Sequence, residues 1–119
     1  MNEPRQSGLC VGAIDNMSLG AVYHVKAELV LDERHELRDE AFAELNIWKL
    51  AAPLTGSAHR FKYSLALVIK AECVLRYDNE QGKGDHRHYR NAESGYVFTS
   101  LEQLQVDFWT DVNKEWGEP

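Results

Sequence analysis

Apolar and polar residues alternate along most of the chain with the period of two that a half-buried β-strand imposes. The alternation runs over residues 21–31, returns at 41–50 and 60–69, resumes at 73–77, and ends in a short segment at 96–98. Stretches rich in charge or in Gly, Pro and Ser separate these segments at 32–40, 51–58 and 79–84, and they predict turns or loops. Short strands with short polar connections predict an antiparallel β-meander of four to five strands.

The C-terminal segment has a helical period instead. Ser100 or Thr99 can cap a helix, and Glu102 or Gln103 completes a capping box. An apolar stripe then recurs at spacings of three and four residues: Leu101, Leu104, Phe108, Val112 and Trp116. The chain is therefore predicted to be α+β, with one C-terminal amphipathic helix packed on one face of the sheet. We expect the stripe to cover the apolar sheet face formed by Phe61, Tyr63, Leu65 and Leu67.

The first twenty residues lack the pattern seen in the rest of the chain. Residues 1–20 have weak periodicity and three glycines, and they are predicted to be a poorly ordered arm before a single domain at 21–119. The arm lacks a basic start followed by an apolar run, and no segment approaches the 18 apolar residues of a membrane span. We therefore expect a cytoplasmic protein without a membrane partner.

The net charge of −6 argues against a general nucleic-acid binder. The charge is uneven, because residues 59–90 contain seven Lys or Arg and four Asp or Glu. If alternation holds, the sheet face without the helix carries Arg60, Lys62, Arg76 and Trp48. Such a face is either a platform for RNA or a partner protein, or a plain solvated face.

Residues 77–89 contain the densest group of reactive side chains. Gly82 and Gly84 flank Lys83, a pattern that can form an anion-binding nest of backbone N–H groups. His86 and His88 are two residues apart, so an extended chain points both rings to the same side. Arg87 could hold phosphate, and Asp85 or Asp78 could orient an imidazole.

Three interpretations of this segment remain open. His86 or His88 could act as general acid or base in RNA cleavage, with the 2′-hydroxyl as nucleophile and no metal. Asp85, His86 and His88 could instead bind zinc or manganese, although no usual ligand spacing supports this. The third interpretation is a charged hairpin connection without chemistry. His59 would join the site if its end of the strand lies near the Gly82 turn.

Several ordered polar motifs resemble the TumE-type toxins of bacterial toxin–antitoxin systems. They are Ile-Trp at 47–48, Pro53, Gly-Ser at 56–57, His-Arg-Phe-Lys-Tyr at 59–63, Tyr-Asp-Asn-Glu at 77–80 and Gly-Lys-Gly-Asp-His-Arg-His at 82–88. The resemblance extends from about residue 21 to 112 and includes Phe-Thr-Ser at 98–100. It implies a toxin paired with a small DNA-binding antitoxin, usually of helix-turn-helix type.

The leading hypothesis combines this resemblance with the histidines. It is a toxin acting as a metal-independent endoribonuclease without a cofactor. Its target would be RNA, and it could form a homodimer. Its predicted acid–base residues are His88, His86 and His59, and its substrate-binding residues are Lys83, Arg87, Arg60, Lys62, Arg76, Gly82 and Gly84. The alternatives are a non-catalytic RNA- or protein-binding module that uses the basic face, and a metal-dependent phosphodiesterase.

Overall fold

A computed structural model describes residues 27–116 of the chain. Six strands and one helix follow one another in these residues: β1 (Ala27–Leu37), β2 (Ala41–Leu50), β3 (Phe61–Ile69), β4 (Glu72–Glu80), β5 (Gly84–Tyr89), β6 (Ala92–Gly95) and α1 (Leu101–Trp116). All neighbouring strands pair antiparallel in chain order, so the sheet is an uninterrupted meander. The predicted α+β class is confirmed, with a sixth strand beyond the four to five expected.

The core lies between α1 and one face of the sheet, as predicted. Phe108 is completely buried, and it clusters with Leu104 and Val112 of the helix and with Tyr63, Leu65 and Leu67 of β3. Ser100 begins the helix, because its hydroxyl accepts the Gln103 backbone N–H at 3.0 Å. The side chain of Trp116 and the end of the helix at Gly117 lie outside the described residues.

Three strand boundaries differ from the sequence predictions. The charged residues predicted as a turn at 32–40 instead continue β1 to Leu37, because an edge strand that is exposed on most positions does not require alternation. β4 extends through Glu80, and β5 occupies 84–89, so the predicted loop shrinks to the turn 81–83. The last strand lies at 92–95 rather than 96–98.

The sheet face opposite α1, called the helix-free face below, is only partly a polar surface. It carries Lys62 and Arg76 as predicted, but Lys62, Ser64, Ala66 and Val68 of β3 are each no more than 4% exposed. Trp48 packs against Leu50 and Leu54, so its indole supports the 51–60 loop. The centre of this face is therefore not the open basic platform that alternation predicts, and polar groups are accessible mainly towards β5 and β6.

Candidate functional site

Alternation along β5 divides the reactive segment between the two faces of the sheet. His86 pairs with Asp78 and His88 pairs with Arg76 across the β4–β5 ladder, and these side chains share the helix-free face. Asp85 and Arg87 point to the opposite face, towards α1, where they bond to His59 and Asp111. The predicted site residues therefore form two separate clusters.

His59 belongs to the cluster beneath the helix. Its Nε2–H donates to Asp85 at 2.8 Å, while its Nδ1 accepts the backbone N–H of Phe61 at 3.1 Å. Phe98 stacks on the ring with centroids 4.0 Å apart. Both ring nitrogens are thus committed, so His59 fixes the start of β3 and has no free nitrogen for a substrate.

Asp85 is held from two sides in the same cluster. The hydroxyl of Tyr63 donates to Asp85 Oδ2 at 2.5 Å, beside the bond from His59. Burial alone would raise the pKa of Asp85, but the hydrogen bonds from His59 and Tyr63 outweigh burial and lower that pKa. Asp85 therefore holds the imidazole of His59 and not that of His86 or His88.

Arg87 is also committed beneath the helix. Its Nε donates to Asp111 Oδ2 at 2.8 Å, and Tyr77 donates to the same oxygen at 2.6 Å. This hydrogen bond to Asp111 is the main reason that the pKa of Arg87 is raised. Arg87 consequently lies on the wrong face to hold a phosphate beside His86 and His88.

The Gly82 turn does not form the predicted anion nest. Gly82 has a φ of +83°, which glycine adopts without strain, but its N–H donates to the Thr55 carbonyl at 2.6 Å. The Lys83 N–H donates to the Glu80 carbonyl at 3.0 Å, and the Lys83 ammonium lies 3.4 Å from the Glu80 carboxylate. The two glycines instead allow the turn to dock on the 51–60 loop, where Gly56 lies against Gly82 and Gly84. His59, near the end of that loop, bonds to Asp85 just after the turn.

His88 is the histidine of the helix-free face that remains unbonded. Its Nε2 lies 3.7 Å from Asp78 Oδ1 and 3.8 Å from Glu93 Oε2, both beyond hydrogen-bonding distance. The side chain is 28% exposed, and no hydrogen bond joins it to any residue between 27 and 116. His88 can therefore exchange a proton with an incoming group after a small movement of its ring.

His86 is held more firmly than His88. Its Nε2–H donates to the Lys83 carbonyl at 2.9 Å. Its Nδ1 is shielded from solvent and lies 3.2 Å from Glu93 Oε2, an ion-pair distance without hydrogen-bond geometry. With one nitrogen bonded and the other shielded, His86 is better placed to position neighbours than to meet a substrate.

Asp78 and Arg76 support the same cluster from β4. Asp78 is buried, and this burial raises its pKa, although the nearby charges of Arg76, His88 and Lys62 act in the opposite direction. Arg76 Nε lies 3.1 Å from Asp78 Oδ2. Asp78 therefore lies near His88 without bonding to it, and its predicted role in orienting an imidazole of this cluster stays a prediction.

Lys62 and Arg60 do not extend this cluster into a basic face. The Lys62 amine donates to the Asn79 carbonyl at 2.5 Å, and burial lowers its pKa to about 8. Arg60 donates to the Ala51 carbonyl and lines a separate cavity with Lys49. Of the three bases predicted to act together, Arg76 alone lies beside a candidate catalytic histidine.

An open cavity of about 270 Å³ adjoins His88 at the open end of the β4–β5 strand pair, away from the turn at 81–83. Arg76 and Arg90 line it with His88, and Glu72 adds one carboxylate. The Arg90 guanidinium bonds to Glu115 of α1, so that base is anchored. The cavity combines an imidazole with the guanidinium of Arg76, a composition suited to a phosphate ester, while the Arg90 guanidinium is engaged by Glu115.

The predicted metal ligands do not converge. Asp85 faces α1, whereas His86 and His88 face away from it. Within the described ranges, no group of three or more His, Cys, Asp or Glu side chains has a geometry that could hold a metal ion.

Glu93 is a member of the helix-free cluster that sequence reasoning missed. It stands opposite His88 in the β5–β6 ladder, and its carboxylate lies near both His86 and His88. The two-residue connection at 90–91 aligns these strands. Recognising that tight hairpin in the sequence would have brought residue 93 next to residue 88.

Comparison with known families gives one match. The family model described as Toxin TumE matches residues 19–115, which indicates the toxin of a toxin–antitoxin system and implies a cognate antitoxin as partner. Neither the curated proteins nor the solved structures contain a match. The described helix is too short and too polar to cross a bilayer. Because the family match spans well over half of the sequence, the chain belongs to the TumE toxin family.

Proposed function

We propose that this toxin inhibits growth by metal-independent cleavage of RNA, with His88 as an acid–base residue. The observation that carries the proposal is the state of the His88 ring. It is partly exposed, has no hydrogen bond among the described residues, and lines a cavity with Arg76 and Arg90. A positioned imidazole can transfer protons near neutral pH, and guanidinium groups can hold a phosphodiester.

The chemistry needs a nucleophile that RNA itself provides. The 2′-hydroxyl attacks the adjacent phosphorus, so the protein must move protons and stabilise negative charge. Asp78 lies 3.7 Å from His88 Nε2, so a small movement of the ring would let this carboxylate orient it. Arg76 stands opposite His88 across the β4–β5 ladder, where its charge can stabilise the phosphorane oxygens.

The remaining parts of the proposal concern the toxin's surroundings. We propose a cytoplasmic toxin that needs no cofactor and is neutralised by a small helix-turn-helix antitoxin.

A second candidate is a toxin that binds RNA or a protein without cleaving it. Two cavities favour it, because each is lined by two bases: Arg76 with Arg90, and Lys49 with Arg60. Such a toxin would inhibit growth by occupying its target.

The decisive experiment incubates purified protein with end-labelled RNA and with the same sequence as DNA, each with and without a chelator. We expect chelator-resistant cleavage of RNA alone, leaving a 2′,3′-cyclic phosphate. Binding without cleavage would replace the proposal by the second candidate. Chelator-sensitive cleavage would favour a metal-dependent phosphodiesterase.

Variants then locate the reaction on the surface. His88→Ala should lower the cleavage rate about 10²–10⁴-fold, with a smaller loss for His86→Ala. His35→Ala is the matched control, since His35 is an exposed histidine of β1 bonded to Glu33. Expressed without antitoxin, folded His88→Ala should be tolerated by cells. Undiminished toxicity of this folded variant would refute the acid–base mechanism.

A further inference from the structure

We propose that Glu93 is the second acid–base residue of this site, accepting the proton of the RNA 2′-hydroxyl while His88 protonates the leaving oxygen. This inference rests on the proposed ribonuclease function. It names the second acid–base residue that would act together with His88. Cleavage of RNA by its own 2′-hydroxyl uses one group that removes the proton of that hydroxyl and another that donates a proton to the leaving 5′-oxygen.

The position of Glu93 carries the assignment. The β5–β6 register places Glu93 directly opposite His88, and its Oε2 lies 3.8 Å from His88 Nε2. The Glu93 side chain is 49% exposed on the edge strand β6, so it can turn to meet a substrate lying over both residues. The carboxylate accepts no hydrogen bond from the described residues, although its Oε2 lies 3.2 Å from His86 Nδ1.

The neighbouring titratable groups are already committed. His86 donates to the Lys83 carbonyl, and its other nitrogen is shielded from solvent. Asp78 is 7% exposed and paired with Arg76. Glu80 is paired with Lys83. Glu72 lines the cavity with His88, but no ion pair joins the two. Of the two carboxylates within 4 Å of His88, Asp78 and Glu93, only Glu93 combines exposure with freedom from hydrogen bonds.

The proposed step balances without any further reagent. The Glu93 carboxylate takes the 2′-hydroxyl proton while the 2′-oxygen forms a bond to phosphorus. The bond between phosphorus and the 5′-oxygen breaks, and the 5′-oxygen takes a proton from the His88 imidazolium. The products are a 2′,3′-cyclic phosphate and a 5′-hydroxyl, with Glu93 protonated and His88 neutral until they exchange protons with water.

The test separates the two roles through the leaving group. A 5′-phosphorothiolate linkage leaves as a thiolate, which does not require protonation, so this substrate bypasses the general acid. Single-turnover cleavage of ordinary and 5′-thio RNA is measured for the parent protein, His88→Ala and Glu93→Gln. We expect the thio substrate to restore His88→Ala to within about tenfold of the parent, while Glu93→Gln stays about 10²-fold or more slower on both substrates.

Controls distinguish a catalytic Glu93 from a positioning one. Glu102→Gln makes the same chemical change at an exposed helical position and should keep parental rates. His86→Ala removes the residue that Glu93 contacts at 3.2 Å, and it should lose less activity than Glu93→Gln. Equal losses in these two variants would mean that Glu93 acts through His86, which would overturn the inference.

The two proposals fail in different ways. If the parent protein does not cleave RNA, the proposed function fails, and the Glu93 inference fails with it. If the parent cleaves but Glu93→Gln stays within about threefold of it, Glu93 is not the base, while the ribonuclease function stands. Rescue of Glu93→Gln by the thio substrate would also overturn the assignment, because it would place Glu93 on the acid side.

Discussion

At the scale of single residues, the bonding of each ring nitrogen decides which histidine can take part in chemistry. His59 uses both nitrogens within the fold, and His86 has one nitrogen bonded and one shielded. His88 keeps its nitrogens free of hydrogen bonds to described residues while sitting between two carboxylates. The same principle separates the lysines and arginines, because Lys62 and Arg87 use their donors to bind the protein itself.

Lys62 provides a prediction about pH at this scale. Its pKa is lowered to about 8 by burial, so between about pH 8 and 10.5 the unfolded chain binds more protons than the folded one. Stability should therefore rise as pH rises through this window, by about 1–2 kcal/mol between pH 8 and 9.5. Urea unfolding at several pH values measures this gain, and Lys62→Met should not show it. An equal gain in the variant would assign the effect to another group.

At the scale of elements, α1 is fastened to the sheet by polar bonds as well as by its apolar stripe. Asp107, Asp111 and Glu115 recur every four residues along the helix, and each carboxylate accepts a hydrogen bond from a tyrosine of the sheet side: Tyr96, Tyr77 and Tyr89 respectively. Arginines at the end of β5 strengthen two of these contacts, through the ion pairs of Arg87 with Asp111 and Arg90 with Glu115. The helix thus holds Arg87 and Arg90 on one side of the sheet, while His86 and His88 of the same segment lie on the helix-free face.

Replacing Phe108 tests the apolar part of this attachment. Phe108 is completely buried and meets the rings of Tyr77 and Trp109 edge to face. Phe108→Ala should lower the free energy of unfolding by about 3–5 kcal/mol, because a cavity replaces the ring. Val106→Ala on the same helix is the control, since Val106 is 55% exposed and should change stability by less than about 0.5 kcal/mol. Similar losses in both variants would contradict the observed packing.

Asp111 tests the polar part through acid. Burial would raise its pKa, but hydrogen bonds from Arg87 and Tyr77 prevail and lower it. The folded pKa therefore lies below the unfolded one, so Asp111 stabilises the fold above about pH 4, and this stabilisation disappears as pH falls through the folded value. At pH 7 the free energy of unfolding of the parent should exceed that of Asp111→Asn by about 1–3 kcal/mol, and this difference should shrink below about pH 4. A difference that is constant with pH would show that the charge of Asp111 does not matter.

The sequence predicted these elements well where a strand or helix has one buried face, because only then do apolar residues recur with a regular period. β2 was predicted with its observed ends, and the stripe of α1 was predicted together with the sheet face that it covers. β1 and β6 lie at the sheet edges and are largely exposed, so their side chains carry no strong alternation. An extended β5 puts Asp85 and His86 on opposite faces of the sheet. The prediction of a single site at residues 77–89 did not take this separation into account.

At the scale of the whole molecule, the proposed RNA target is an anionic polymer, which an acidic protein would have to bind through a small surface. The net charge is −6, and acids and bases pair extensively in the described part of the chain. Lys62 is buried, and Arg87 is bonded beneath α1. For the proposed RNA target, long-range attraction would therefore contribute little to recognition, and specificity would come from contacts around the His88 cavity.

This charge distribution predicts a weak salt dependence of RNA binding. If one or two phosphates are neutralised, near Arg76, the logarithm of affinity for single-stranded RNA should fall with the logarithm of salt concentration with a slope of about −0.7 to −1.4. His88→Ala is the protein to use, because it should bind RNA without cleaving it during the measurement. Arg76→Ala added to that variant should reduce the slope by about 0.7, whereas the exposed Arg38→Ala on the same background should leave it unchanged. A slope steeper than about −4 would require six or more phosphate contacts, more than the His88 cavity can supply, and would move the RNA interface away from this site.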